Sequence, residues 1–129
     1  MKMKIFLVIM LIVLGVSNAL AETSALLKTD SPGKDEQISF VELGSVNCIP
    51  CKQMQPIMDE IKEEYAGKVK VVFHDVWTPE GKKYGNEYRI RVIPTQVFLD
   101  KAGKEVSRHE GFFPKAAIEK IFKDNGVTK

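Results

Sequence analysis

An α/β fold, with a central mixed β-sheet flanked by helices on both sides, is what three observations predict. Apolar runs of strand type alternate with helical patterns in the order strand, helix, strand, helix, hairpin, helix. A run of strand formers leads directly into a C-x-x-C pair at the head of a helical pattern. The chain, at 129 residues, is long enough for one compact domain and too short for two of ordinary size.

The first 21 residues stand apart from that domain. Lys2 and Lys4 precede an uncharged apolar stretch from Ile5 to Val16, and Ala19-Leu20-Ala21 supplies a small-residue cleavage pattern. This is the layout of a secretory signal peptide, and the apolar stretch is shorter than the roughly 17 to 25 residues of a membrane span. The expected division is therefore residues 1–21 as signal peptide and 22–129 as the exported domain, periplasmic or otherwise extracytoplasmic. An uncleaved membrane anchor is the alternative. Cleavage removes two lysines and no acid, leaving basic and acidic side chains in equal number. Nucleic acid is thereby an unsuitable partner, since the basic footprint it needs is missing.

Glu22 to Gln37 is polar and turn-rich around Ser31-Pro32-Gly33, a short lead-in with only Ala25 to Leu27 suggesting a helical turn. Ile38 to Leu43 is an apolar run suited to a buried strand. From Cys51 onward, Met54, Ile57, Met58, Ile61 and Tyr65 recur at helical spacing until Gly67, a suitable stop. Val69 to Trp77 reads as a second strand. Thr78-Pro79-Glu80 offers a capping side chain and a proline at the first helical position, opening a helix through Tyr84 and Tyr88. Thr95 to Leu99 is a strand, Asp100 to Lys104 a hairpin turn around Gly103, and Glu105 to Glu110 the returning strand. A last helix starts near Pro114 and carries Ala117, Ile118, Ile121 and Phe122 on one face up to Asn125-Gly126. Trp77, Tyr84 and Tyr88 are assigned to core or rim, and His74 and His109 to structural or solvated positions.

Cys48 and Cys51 are the only cysteines. Cys51 falls on the helical stripe that faces the core and is expected to be buried. Cys48 falls at the first turn, where unpaired N–H groups and the positive end of the helix dipole favour an anion, and is expected to be the exposed, acidic thiol. Helical i, i+3 positions place Cβ atoms about 5 to 6 Å apart, so a small adjustment closes a bridge. A purely structural staple is the weaker use, because a bridge across two residues removes little loop entropy. Covalent haem needs a histidine where Lys52 stands, and zinc usually needs a second close ligand pair, so no metal site is assigned. Glu42, between Val41 and Leu43, is a costly carboxylate for a buried strand unless it faces solvent or stays protonated.

"CIPCK" at Cys48 to Lys52, Pro56 within the following helix, "VIPT" at Val92 to Thr95, the hairpin "FLDKAGKEV" and the segment "EGFFPKAAIEKIF" together resemble the thioredoxin family over roughly Ile38 to Phe122. Asn47, Glu42 and Phe73 depart from its usual tryptophan, aspartate and lysine, and the lead-in is shorter. The resemblance implies a thioredoxin fold with a shortened N-terminal lead-in and thiol–disulfide oxidoreductase activity. It implies Cys48 as nucleophile, Cys51 as resolving thiol, and Glu42 behind Cys51 as proton acceptor through water, with a solvent-facing glutamate as the plain alternative. It further implies a cis peptide before Pro94, and substrate contacts at Ile93, Pro94, Ile49 and Pro50. Reduction of protein disulfides is the expected direction, by a monomer that needs no cofactor and is re-reduced by a membrane electron donor. An oxidant or isomerase of the same fold, or a thiolate metal-delivery module, are the alternatives.

Overall fold

The computed structural model of the chain describes residues 29–129. Seven elements follow in the predicted order: β1 (Ile38–Gly44), α1 (Ile49–Glu64), β2 (Val69–Asp75), α2 (Lys82–Glu87), β3 (Thr95–Leu99), β4 (Glu105–Glu110) and α3 (Lys115–Asp124). The signal-peptide expectation and Ala25 to Leu27 lie outside the described residues.

The four strands form one mixed sheet in the order β2-β1-β3-β4. The α1 crossover makes β1 and β2 parallel, while β3 runs antiparallel to β1 and the tight hairpin makes β4 antiparallel to β3. β1 and β3 are central, and every residue in them is buried, which is why they read as unbroken apolar runs. Alternation along β1 sends Ile38 and Phe40 to one face, where they meet Met54, Met58 and Ile61 of α1 and Ile118 and Phe122 of α3. Val41 and Leu43 face the other way, onto Tyr88, with Tyr84 and Ile90 alongside. Phe40 stacks on Phe98 at 5.3 Å between ring centroids, and Phe122 meets Phe98 edge-on at 6.0 Å. Two helices cover one face and one covers the other, and no strand precedes β1 among the described residues, so the lead-in is short as expected.

Two boundaries, and the reading of the lead-in, differ from the sequence expectation. β2 ends at Asp75, because the Asp75 carboxylate accepts from Trp77 N at 3.0 Å and turns the chain. The helix expected from Thr78 begins only at Lys82. Thr78 does cap, its Oγ1 accepting from Gly81 N at 3.0 Å, but it closes a separate turn. A Cβ at Gly81 would overlap the Asp75 carbonyl oxygen, so only glycine lets that turn fold back on β2. The lead-in is not merely solvated either. Asp30 is buried, accepting from Tyr88 Oη at 2.6 Å and lying 2.8 Å from His74 Nε2, and the His74 ring stacks on Tyr84. His74 and Tyr88 are thus structural, whereas Trp77 is 62% exposed and outside the core.

Candidate functional site

The site begins where β1 stops. Gly44 ends the strand, and a turn from Ser45 to Asn47 delivers the chain to the head of α1, with Cys48 as its N-cap. Asp75, at the end of the neighbouring strand, holds this turn: its Oδ2 accepts from Val46 N at 3.2 Å and from Ser45 Oγ at 3.4 Å. Ser45 Oγ in turn accepts from Asn47 N at 3.2 Å. The same carboxylate binds Trp77 N, so one side chain fixes the loops after β1 and after β2 together. Sequence reasoning assigned Asp75 no role, since its partners on the first loop lie far away along the chain.

Cys48 and Cys51 are joined in a disulfide with Cα atoms 5.2 Å apart. Cys51 N donates to Cys48 Sγ at 3.4 Å, the N-cap bond that an asparagine or serine would otherwise accept. Pro50, in the first turn, has no N–H to add. Cys51 is buried as expected, at 5% exposure, but Cys48 is buried too, at 7%. The expectation of an exposed Cys48 is corrected: its sulfur turns inward to the bridge and the Cys51 amide, and Val46, Asn47, Ile49 and Pro50 present the outer surface. Ile49 is 74% exposed beside it.

Gly44 permits the close seat of Cys51 against the sheet. A Cβ there would come within 3.1 Å of Cys51 Sγ. Glu42 lies two residues back on β1 and therefore on the same face, about 7 Å along the strand. It is fully buried, which rules out the solvent-facing alternative. Burial pushes its carboxyl from the usual 4.5 up to about 8, while a hydrogen bond from the Gln96 amide pulls the other way. Gln96, directly opposite on β3, donates through Nε2 to Glu42 Oε1 at 3.4 Å and to Gly111 O at 3.1 Å. Sequence reasoning missed Gln96; the signal was an amide beside the apolar stretch Val97 to Leu99.

The peptide between Ile93 and Pro94 is cis, as expected, and Pro94 is buried at the start of β3 with Ile93 half-exposed before it. Gly111 N donates to Pro94 O at 2.7 Å, tying this loop to the end of β4. Val46, in the turn before Cys48, and Ile49, at the head of α1, are large apolar side chains exposed beside the disulfide, and Trp77 and Val92 are exposed on the loops that flank α2. A cavity of about 330 Å³ opens beside Cys51, lined by Ser45, Val46, Lys52, Gln55 and Phe73. Among the described residues, no group of three or more histidine, cysteine or acidic side chains is arranged to hold a metal. The arrangement can exchange a dithiol for a disulfide next to a buried carboxyl.

Comparison with known proteins agrees with this geometry. The family model of the thioredoxin-like domain matches residues 25–126. Thioredoxin 1 of Nostoc sp. is 35% identical over 101 residues, covering 74% of this chain and 92% of that protein. The thioredoxin of Pyropia yezoensis is 36% identical over 95 residues, covering 70% of this chain and 86% of its own length. A single-site mutant of thioredoxin from Halobacterium salinarum superposes with a TM-score of 0.63 at 20% identity, over 74% of this chain and 80% of its own, a likeness of fold. With a C-x-x-C pair at disulfide distance on that fold, the chain belongs to the thioredoxin-like family of thiol–disulfide oxidoreductases that act on protein disulfides.

Proposed function

We propose that the protein is an exported reductant of protein disulfides, with Cys48 as nucleophile, Cys51 as resolving thiol and Glu42 as the proton store between them. The Cys48 thiolate attacks one sulfur of a client disulfide; the client S–S bond breaks, a Cys48–client disulfide forms, and the departing client sulfur takes up a proton. Cys51 gives its proton, through water, to the ionised form of the Glu42 carboxyl, and the Cys51 thiolate attacks Cys48 Sγ. The Cys48–client bond breaks, the second client sulfur leaves as a thiolate, and the enzyme keeps the Cys48–Cys51 bond. Two electrons pass to the client. An external dithiol, carried in the cell envelope by a membrane donor, restores the enzyme.

The position of Glu42 suits this cycle. A carboxyl that titrates near 8 is close to the ~8.5 of a free thiol, so the proton crosses with little free-energy change in either direction. Ile93 and Pro94, with Ile49 and Pro50 opposite, form the contact surface for the client chain, and the exposed Val46, Trp77 and Val92 extend it with apolar area. The reading takes the working unit to be a monomer. Export rests on the sequence of residues 1–21.

The observation that carries the direction is the first turn of α1. Cys51 N is the amide aimed at Cys48 Sγ, at 3.4 Å; Pro50 has no N–H and Ile49 has no side-chain donor. Asn47 is exposed, with its backbone N–H bonded to Ser45 Oγ. A thiolate with few donors is stabilised mainly by the helix terminus, which makes the dithiol the stronger reductant. Equilibration in glutathione redox buffers tests this. A couple near thioredoxin's potential of about −270 mV is expected, with the disulfide persisting in modest glutathione. Nearly complete reduction there would instead favour the oxidant or isomerase.

A further inference from the structure

We propose that Gln96 is a positioning residue that holds the Glu42 carboxyl and links it, through Gly111, to the Pro94 loop where the client chain docks. The inference rests on the reading of Glu42 as proton acceptor and names what controls that acceptor. Gln96 is completely buried in β3, where an amide is expensive unless both its donors are used. They are: one N–H goes to Glu42 Oε1 and the other to Gly111 O. Because Gly111 O can only accept, the nitrogen end of the amide is the one turned toward it and Glu42. Glu42 Oε2 and Gln96 Oε1 have no hydrogen-bond partner among the described residues, so the single amide bond is the hold on the carboxyl.

Gly111 is the other half of the link. Its φ of +89° is a conformation that glycine adopts without strain, and it lets the residue turn its N–H to Pro94 O at 2.7 Å while its carbonyl receives Gln96. Hydrogen bonds therefore connect the Pro94 carbonyl to Gly111, Gly111 to Gln96 and Gln96 to Glu42, so a displacement at one end of the set moves the next group along it. Other groups do not compete for the carboxyl. Phe73 flanks Glu42 from β2, and Cys51 sits over the neighbouring Gly44. His109, opposite Gln96 on β4, stacks its ring on Phe113 and places Nε2 at Phe112 O. Of these, His109 and the reduced Cys51 thiol are the ionisable side chains. A client strand that engages the backbone beside Pro94 shifts Gly111 and with it the seat of Gln96, and the carboxyl responds before Cys51 must lose its proton.

The test is carbon-13 NMR titration of the Glu42 side-chain carboxyl in the oxidised protein and in Gln96→Met, a near-isosteric change that removes the amide. Loss of the donor to the charged form should move the midpoint upward. A midpoint one pH unit higher leaves about tenfold less of the carboxyl ionised at neutral pH and able to take the Cys51 proton, read as slower resolution of the mixed disulfide. In a Cys51→Ser protein trapped as a client mixed disulfide, the Glu42 midpoint should move with Gln96 present and stay still in Gln96→Met. An unmoved midpoint in Gln96→Met overturns the proposal. Should that variant fail to fold, the Gln96 side-chain amide resonance of the unaltered protein must follow the Glu42 titration, and a resonance that ignores it overturns the proposal equally. If Glu42→Gln leaves resolution unchanged, the proton-acceptor reading fails separately, because the NMR midpoints report the Gln96 contact whatever the carboxyl does in turnover.

Discussion

Replacing Glu42 by glutamine should change the pH dependence of stability more than stability itself at any one acidic pH. In the folded protein the carboxyl holds its proton up to about 8, whereas the unfolded chain releases it near 4.5. Between those values the unfolded state binds fewer protons than the folded one, so the free energy of unfolding falls as pH rises. The contribution is fully present below 4.5 and is lost as pH rises through about 8, where both states are ionised. At about 1.36 kcal/mol for each pH unit separating the two midpoints, the whole loss is about 5 kcal/mol, and the part falling between pH 5 and pH 7 is about 2.5 kcal/mol. Complete burial of the side chain means that no solvent screening reduces this figure. Glutamine keeps the shape and does not titrate. Urea unfolding of the two oxidised proteins at pH 5, 6, 7 and 8 should therefore show Glu42→Gln gaining steadily on the parent, by about 2.5 kcal/mol over the first two pH units. Parallel curves would refute the reasoning, because they would mean that the carboxyl ionises in the folded protein as it does in water.

Iodoacetamide labelling of the reduced protein at neutral pH should modify Cys48 much faster than Cys51, since the N-cap position acidifies the first thiol even though both sulfurs are buried in the disulfide; equal rates would remove the helix-terminus argument. Asp75→Ala should cost about 1 to 2 kcal/mol in denaturant unfolding, because the Ser45–Asn47 turn and Trp77 lose a shared acceptor. An unchanged midpoint would show that the turn holds without it. Intact mass of protein recovered from the cell envelope should correspond to a chain starting at Glu22, and retention of residues 1–21 would make the domain a tethered one instead.

The backbone was legible wherever local chemistry decided it. β3 and β4 fall where the sequence placed them, because Asp100 and Gly103 close the hairpin locally, Asp100 Oδ1 accepting from Ala102 N and Lys104 N. α1 was readable from the spacing of Cys51, Met54, Met58 and Ile61, all of which are buried. The start of α2 was misread because a capping threonine and a proline signal a turn as readily as a helix, and the geometry at Gly81 depends on a carbonyl from another element. At the site, the cysteines and Pro94 announced themselves by motif. Gln96, Asp75 and Asp30 did not, since each takes its meaning from a partner brought close only by the sheet. The burial of Cys48 was hidden for a related reason: helical register fixes the direction of a side chain, not what the neighbouring loop residues cover.

The buried Asp30 changes where this domain begins. Judged by strands, the folding unit would start at Ile38, and everything before it would be a disposable tether. Tyr88 Oη and His74 Nε2 both converge on Asp30, and burial, with the nearby Asp30 carboxylate, holds the Tyr88 phenol well above its ordinary range, so it stays a hydrogen-bond donor. A chain trimmed to Ile38 would leave a phenol and an imidazole in the α2 layer without their acceptor, directly beneath the segment that carries Tyr84 onward to Ile93 and Pro94. The lead-in is thus part of what holds the segment leading to Pro94, and a protease that nicks between Asp30 and Ile38 would loosen that segment while leaving both cysteines untouched.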